Sequence, residues 1–416
     1  MELSAFGERF SARTGIQELM DDLGAAAAGG EKLAMLGGGN PAQIPEVSQV
    51  FRRRMEEILA SGDELDRMLG TYDAPGGKQG FLEAVAELLR REFDWPVTAR
   101  NIVVTSGSQN AAFIILNMFS GTTRDGRKRK ILFPLVPEYI GYADQAVDAD
   151  SFVAQRPVIR ELGGNSYKYF IDFDRLEIEA DIGAICVSRP TNPTGNVLTD
   201  DEVRRLSEAA EHRGIPLFID NAYGSPFPHI IFKEVRPFWN ENTIIGMSLS
   251  KIGLPTVRTG ILVAREEIIS AVASANAVMN LAIGGIGQAL LDPLVRSGEI
   301  LRLSNDVVRP YYSAKSAQAQ RWFRDAFGNS VDYAIHSCEG SIFLWIWFKS
   351  LPITTLELYR RLKARRVLVI PGQYFFFGLE APWRHQDECI RVSYAQNDED
   401  VRRGIEIIAD EVRKLS

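Results

Sequence analysis

The apolar positions of this chain fall into two rhythms. Between residues 100 and 265, short and nearly unbroken apolar runs recur, predicting strands at 101–105, 130–133, 183–188, 215–220, 243–248 and 259–264. Runs without polar alternation belong to strands buried on both faces, and helical spacing between most of them points to a mostly parallel sheet covered by helices. Helical periodicity also appears around 46–60 and 80–93, and Gly107-Ser108-Gln109 opens an apolar helix through Ala112, Ile115 and Phe119. Thr199 with Glu202 three positions on is a capping box that marks another helix start. Past about 290 the texture changes. A long helical segment at 297–326 is interrupted by Pro310, strands follow near 331–337, 341–348, 366–370 and 389–394, and Val401, Ile405, Ile408, Val412 and Leu415 form the single apolar stripe of a closing helix.

This pattern divides the chain into an N-terminal arm at 1–45, a large α/β domain at 46–295 and a smaller α+β domain at 296–416. The arm is expected to pack with the smaller domain. The length of 416 residues agrees with two or three domains. The arm ends in Leu36-Gly37-Gly38-Gly39-Asn40-Pro41, a loop in which backbone can approach a ligand or act as a hinge.

Composition, 45% hydrophobic and 24% charged, is that of a globular protein, and a net charge of −7 gives no reason to expect nucleic acid. Arg127-Lys128-Arg129-Lys130 leads straight into a strand and reads as a surface turn. The three cysteines, Cys186, Cys338 and Cys389, stand in apolar contexts without paired spacing, predicting buried free thiols in a reducing cytoplasm. The four histidines have no metal-ligand spacing, so no metal is expected. The first residues carry Glu2, Glu8 and Arg9 and no apolar core of a signal peptide, Ala25–Ala28 is too short for an anchor, and no apolar run reaches the ~18 residues of a membrane span.

Candidate chemistry gathers where the strands end. Ser248-Leu249-Ser250-Lys251 follows the apolar run 243–247, with Arg258 beyond it. A lysine at the end of a buried strand is pushed toward its neutral amine, which is nucleophilic and forms Schiff bases. Hydroxyls and an arginine are phosphate donors, and an imine together with a phosphate is what pyridoxal phosphate requires. Asp220 ends the run 216–220 and could pair with a protonated pyridine nitrogen, while Tyr223 and Asn192 could reach a phenolic oxygen. Ser108 and Gln109 open a helix whose free N–H groups favour a phosphate. Tyr139 could stack on a ring face. Arg391, inside the apolar strand 389–394, needs a partner, and a carboxylate suits its fork. Each residue also has a plain structural reading: a solvated turn, a helix cap, an Asn-Pro turn, a core tyrosine or a structural ion pair.

Taken together, Gly107-Ser108-Gln109, Tyr139, Asn192-Pro193-Thr194-Gly195, Asp220-Asn221-Ala222-Tyr223, Ser248-Leu249-Ser250-Lys251, Arg258 and Arg391 occur in an order that resembles the fold-type I pyridoxal-phosphate aminotransferases over essentially the whole chain. The resemblance implies that fold, pyridoxal 5′-phosphate as cofactor, and a homodimer in which Tyr72 reaches the partner subunit's phosphate. It implies catalytic roles for Lys251, Asp220 and Tyr223. Ser108, Gln109, Tyr139, Asn192, Ser248, Ser250 and Arg258 would hold the cofactor, and Gly38, Gly39, Asn192 and Arg391 the substrate. Phrases such as Pro137-Glu138-Tyr139-Ile140-Gly141-Tyr142-Ala143-Asp144 and Ser341-Ile342-Phe343-Leu344-Trp345 are similar to members that move an amino group between an apolar amino acid, valine, and the 2-oxo acid pyruvate. Aromatic amino acids as substrates, or a C–S lyase on the same machinery, are the alternatives. The cofactor-binding domain of a transcription factor is a further one, but this chain begins with a short arm in place of a helix-turn-helix domain. Two departures from the family stand out. Thr256 occupies the place of a glycine two residues before the phosphate arginine, so the local turn is expected to differ. The Gln373-Tyr374-Phe375-Phe376-Phe377 loop is placed to reshape the substrate pocket.

Overall fold

The strands at 182–188, 217–220 and 243–248 are buried at every position, which is why their sequences carry no polar alternation. In the computed structural model, which describes residues 2–12, 17, 21, 24, 33–328 and 330–415, they form the centre of an eight-stranded sheet. Its order is Ile102–Thr105, Gly260–Val263, Thr243–Ser248, Leu217–Asp220, Ile182–Ser188, Lys128–Phe133 and Gly121–Thr122, with Phe152–Ala154 also paired to Lys128–Phe133. The central pairings are parallel, and Gly260–Val263 runs against both of its neighbours. Register brings Ser188 beside Asp220 and Ser248 beside Gly260, so the polar ends of the buried runs converge on one edge. Ligands of open parallel sheets bind at such carboxyl ends.

The helices start where side chains can cap them. In the helix Asp200–His212, Thr199 Oγ1 accepts from the Glu202 N–H at 3.1 Å, and Glu202 Oε2 accepts from the Thr199 N–H at 2.8 Å, as the spacing predicts. The closing helix Asp398–Arg413 buries Val401, Ile405, Ile408 and Val412. The predicted segment 297–326 is more broken than expected. Gly298, at φ 74°, ends the helix Ile286–Ser297, and a wide π turn at Leu303–Val308 precedes the helix Arg309–Phe327. Pro310 accounts for the break: it lacks an N–H, and its ring crowds the carbonyl one turn earlier.

A six-stranded sheet follows, in the order Ile370–Pro371, Cys389–Ser393, Phe343–Phe348, Tyr333–His336, Ser166–Phe170 and Val158–Gly163. The last two strands form a hairpin that the apolar pattern does not reveal, because Val158–Gly163 is mostly exposed. Its signal was in the turn: Gly163, Gly164 and Asn165 all take positive φ. The predicted strand 366–370 divides in two. Val367–Leu368 pairs in parallel with Ala34–Met35 of the N-terminal arm, and Ile370–Pro371 pairs with Cys389–Ser393. The arm's Ala25–Ala28 lies outside the described residues. Cys186 and Cys389 are buried free thiols; Cys338, expected to be buried as well, is half-buried, and it too is unpaired. Among the described residues, no helix is long and apolar enough to cross a membrane.

Candidate active site

A cavity of about 230 Å³ opens at the sheet edge where the strand ends converge, and the C-terminal part of the chain closes it. Lys251 stands one turn beyond Thr243–Ser248, half-buried, and its Nζ donates to the carbonyl of Gly39 at 2.7 Å. Burial, with the nearby Arg391 and Arg258 guanidiniums, pushes its pKa down to about 8, against the pull of Asp220. Asp220 ends its strand buried. Its Oδ2 accepts from the Tyr142 hydroxyl and its Oδ1 from the Ala222 N–H at 2.8 Å. Burial raises its pKa, and those two donors and Lys251 counter the rise.

One end of the cavity has the character of an anion site. The helix Ser108–Phe119 starts there with no side-chain cap on its first turn. Its N-cap residue, Gly107, holds φ 88°, and a Cβ in its place would overlap Nη2 of Arg258. Arg258 Nη1 donates to Ser250 Oγ at 3.5 Å and to the Pro255 carbonyl at 3.2 Å. Ser248 Oγ accepts from the Ser250 N–H at 3.2 Å. Gln109 Nε2 donates to the Gly141 carbonyl at 3.0 Å.

Arg391 marks the other end. It is buried, and its guanidinium donates to Asn192 Oδ1 at 2.7 Å and to the Gly37 carbonyl at 2.8 Å. It lies 4.0 Å from the Phe343 ring centroid, and its Nε has no partner among the described residues. Burial lowers its pKa to about 10. Between the two ends, Tyr139 and Tyr223 line the wall, both with pKa values raised by burial. Gly141 leaves room for the Tyr139 ring, which a Cβ there would overlap.

The structure therefore brings together Lys251, Asp220, Tyr223, Ser108, Gln109, Tyr139, Asn192, Ser248, Ser250, Arg258, Gly39 and Arg391. Gly38 is not among the lining residues. The carbonyls on either side of it, those of Gly37 and Gly39, bond to the cavity's cations instead. Tyr72 lies outside the cavity and is 81% exposed. Thr256 sits, exposed, in a single 3₁₀ turn at Pro255–Val257, and left-handed backbone falls on Gly253 and Arg258, not on Thr256. Of the 373–377 loop, Phe375 backs Arg391 at 5.4 Å. Residue-by-residue reading missed Gly37, Ile140, Ser188, Pro190, Ala222 and Ile370 in the lining, and Glu138 and Tyr142 behind it. Glu138 and Tyr142 flank Tyr139 in sequence, so a carboxylate and a phenol beside a candidate ring-stacking residue were the available signal.

The residues fit pyridoxal 5′-phosphate. An uncapped helix start, hydroxyls and a guanidinium suit its phosphate, a buried carboxylate suits its ring nitrogen, and a depressed lysine suits its aldehyde. The cradle over Gly107 exists only because no side chain fills it.

Known proteins resemble this chain in sequence and fold. The family model for aminotransferase class I and II matches residues 35–408. A valine–pyruvate aminotransferase of Escherichia coli K12 is 47% identical over 416 residues, covering 100% of this chain and 99% of the relative. The crystal structure of a valine–pyruvate aminotransferase from Salmonella typhimurium LT2 superposes with a TM-score of 0.89 at 45% identity, covering 96% of this chain and 99% of that one. An aspartate aminotransferase from Thermus thermophilus, at 20% identity and a TM-score of 0.78 over 99% of this chain and all of its own, shares the fold.

Proposed function

The chain belongs to the class I and II aminotransferases, and from that premise we propose that it moves an amino group between an apolar L-amino acid, valine foremost, and pyruvate. The products are 2-oxoisovalerate and alanine. The observation that carries this reading is a lysine amine of depressed pKa set between two guanidiniums, Arg258 and Arg391, neither of which is paired with a carboxylate of the described residues. One guanidinium is left for a phosphate and the other for a substrate carboxylate. The apolar walls at Ile140, Ala222 and Ile370 suit an aliphatic side chain.

In this reading Ser108, Gln109, Ser250 and Arg258 hold the phosphate of pyridoxal 5′-phosphate, with Ser248 steadying Ser250. Asp220 keeps the ring nitrogen protonated, Asn192 and Tyr223 face the phenolic oxygen, and Tyr139 covers the ring. The cofactor, when bound, supplies an electron sink beside the substrate Cα. Lys251 takes the proton from that Cα as general base and returns it as general acid, a role its depressed pKa favours near neutral pH. Arg391 and Asn192 orient the substrate carboxylate, and the arm's Gly37–Gly39 backbone closes over it, excluding water.

The enzyme is proposed to work as a homodimer. Leu69, Tyr72, Val278 and Leu281 are exposed, at 66%, 81%, 88% and 64%. Their segments adjoin, since a Cβ placed on Gly285 would lie 3.3 Å from the Met68 carbonyl. An apolar surface of this kind suits a second copy, whose site Tyr72 would enter. The unpaired cysteines suit a reducing compartment, so the cytoplasm is the proposed location.

The test is a half-reaction: holoenzyme is mixed with L-valine, cofactor absorbance is followed, and 2-oxoisovalerate is assayed. Spectral change with stoichiometric 2-oxoisovalerate is expected. An unchanged spectrum with valine, but conversion by an aromatic amino acid or release of sulfide from a cysteine conjugate, would reassign the substrate.

A further inference from the structure

Glu138 is a buried carboxyl that the proposed chemistry does not use. It follows Pro137 at the entrance to the loop carrying Tyr139, and its side chain turns back toward the strand Ile182–Ser188. Three donors hold it. Ser188 Oγ donates to Oε1 at 2.7 Å, the Tyr139 N–H to the same oxygen at 3.0 Å, and the Ser188 N–H to Oε2 at 2.9 Å. Its own N–H donates to the Phe375 carbonyl at 2.9 Å. One residue thus ties together the loop of Tyr139, the strand end that pairs in register with Asp220, and the loop whose Phe375 backs Arg391.

We propose that Glu138 is a positioning residue of this site, which fixes the Tyr139 ring over the cofactor's place by clamping its backbone to Ser188. The proposal rests on the pyridoxal-phosphate reading above. Placement of the ring depends on this clamp because no polar contact of its own fixes it: among the described residues the Tyr139 side chain makes no hydrogen bond, and it packs against the apolar core with the Tyr142 ring edge-on at 5.2 Å between centroids. Gly141 leaves the space that the ring occupies. Local turn geometry does not account for Glu138, whose side chain reaches a strand 50 residues away. A buried carboxyl is costly to keep there. Burial raises its pKa to about 8, and Asp220 adds to the rise while the three donors oppose it. A clamp of aliphatic side chains would avoid that cost but would leave two backbone N–H groups, those of Tyr139 and Ser188, without an acceptor.

The experiment measures binding of pyridoxal phosphate to the apoenzyme by fluorescence quenching, with thermal unfolding as a check on folding. Wild type is compared with Glu138→Ala, Glu138→Gln, Tyr139→Ala and the double variant Glu138→Ala/Tyr139→Ala. If Glu138 acts through Tyr139, Glu138→Ala weakens binding about tenfold, the scale of one aromatic stacking contact. Glu138→Gln, which keeps one acceptor, weakens it less, and the double variant binds no worse than Tyr139→Ala alone. Independent, multiplying effects of the two single changes would overturn the proposal, as would wild-type affinity in Glu138→Ala. Should Glu138→Ala fail to fold, the same cycle is run with Glu138→Gln and Tyr139→Ala and judged by the same criterion. Failure of the wild-type apoenzyme to bind pyridoxal phosphate would overturn the cofactor reading, and this proposal with it. Normal wild-type binding with multiplying effects overturns the proposal alone.

Discussion

Arg391 donates from Nη1 to Oδ1 of Asn192 at 2.7 Å, across 199 residues of chain, and this contact leaves the guanidinium's charge uncompensated. Its other hydrogen-bond partner is a neutral carbonyl, and Nε has none among the described residues. A buried cation without an anion is costly, and a substrate carboxylate relieves the cost. Arg391→Ala is therefore expected to lower kcat/KM for L-valine by roughly a hundredfold, about 3 kcal/mol, through loss of charged hydrogen bonds. Arg391→Lys recovers only part, because an ammonium lacks the planar fork. Steady-state kinetics across valine concentrations checks this. An unchanged KM and kcat in Arg391→Ala would exclude carboxylate binding at this residue.

Lys251 owes part of its low pKa to its cationic neighbours, after burial. The sign is simple. A lowered lysine pKa means that the neutral, nucleophilic amine is abundant above pH 8 and declines as pH falls through that value. Arg258→Gln removes one neighbour, so the pKa moves back up toward the ordinary lysine range. Each unit of rise cuts the neutral fraction at pH 7 about tenfold. Reaction of the apoenzyme with pyridoxal, which lacks the phosphate, isolates this effect from phosphate binding. Its rate against pH is expected to turn near 8 in wild type and at higher pH in Arg258→Gln. Coincident profiles would show that Arg258 does not act on Lys251.

Asp220 and Lys251 were legible in the sequence because each is a polar residue that closes a run of buried apolar ones, and the sheet carries such ends to a common edge. Arg391 was legible for the same reason, as a charge inside an apolar strand. Glu138 and Tyr142 were not. Their partners, Ser188 and Asp220, lie 50 and 78 residues away, and no local period encodes such contacts. The hairpin Val158–Phe170 escaped because one of its strands faces solvent, leaving only the turn to announce it. Thr256 drew attention because the family resemblance leads one to expect a glycine there. Positive φ in this turn falls on Gly253 and Arg258 and not on Thr256, a distribution that a single sequence does not reveal.

That distribution of φ yields a paired prediction on two neighbouring loops. Gly107 combines positive φ with a Cβ position already filled by Arg258. Gly107→Ala is expected to cost about 1–3 kcal/mol of stability from backbone strain alone and to displace Arg258, weakening phosphate binding. Thr256 is exposed at ordinary φ, so Thr256→Gly is expected to change stability by less than about 1 kcal/mol and to leave cofactor affinity unaltered. Thermal unfolding of the apoenzymes and titration with pyridoxal phosphate compare the two. Tighter binding in Thr256→Gly would mean that the turn is strained by its threonine.

Acid should unfold this protein through two histidines remote from the chemistry. His336 accepts the Tyr169 N–H at Nε2, at 3.1 Å, and its Nδ1 lies 2.9 Å from the Ser337 carbonyl, an arrangement that fits only the neutral ring. His385 is buried against Tyr169, Trp347 and Trp383, with no partner at Nδ1 among the described residues. Burial lowers the pKa of each to about 3, with the charge of Lys168 adding to the effect at His336. In the unfolded chain both would titrate near the ordinary value of about 6.5. Between these values the unfolded state binds more protons, so stability is full above pH 6.5 and falls as pH drops toward 3. The loss is up to roughly 3 kcal/mol per histidine by pH 4. Thermal unfolding at pH 7, 5.5 and 4 is expected to show a steep fall in Tm, and replacing either histidine by asparagine should flatten the slope while lowering Tm at pH 7. Wild-type slopes in both variants would place the acid sensitivity elsewhere, with the carboxylates of the surface ion pairs as the next groups to test.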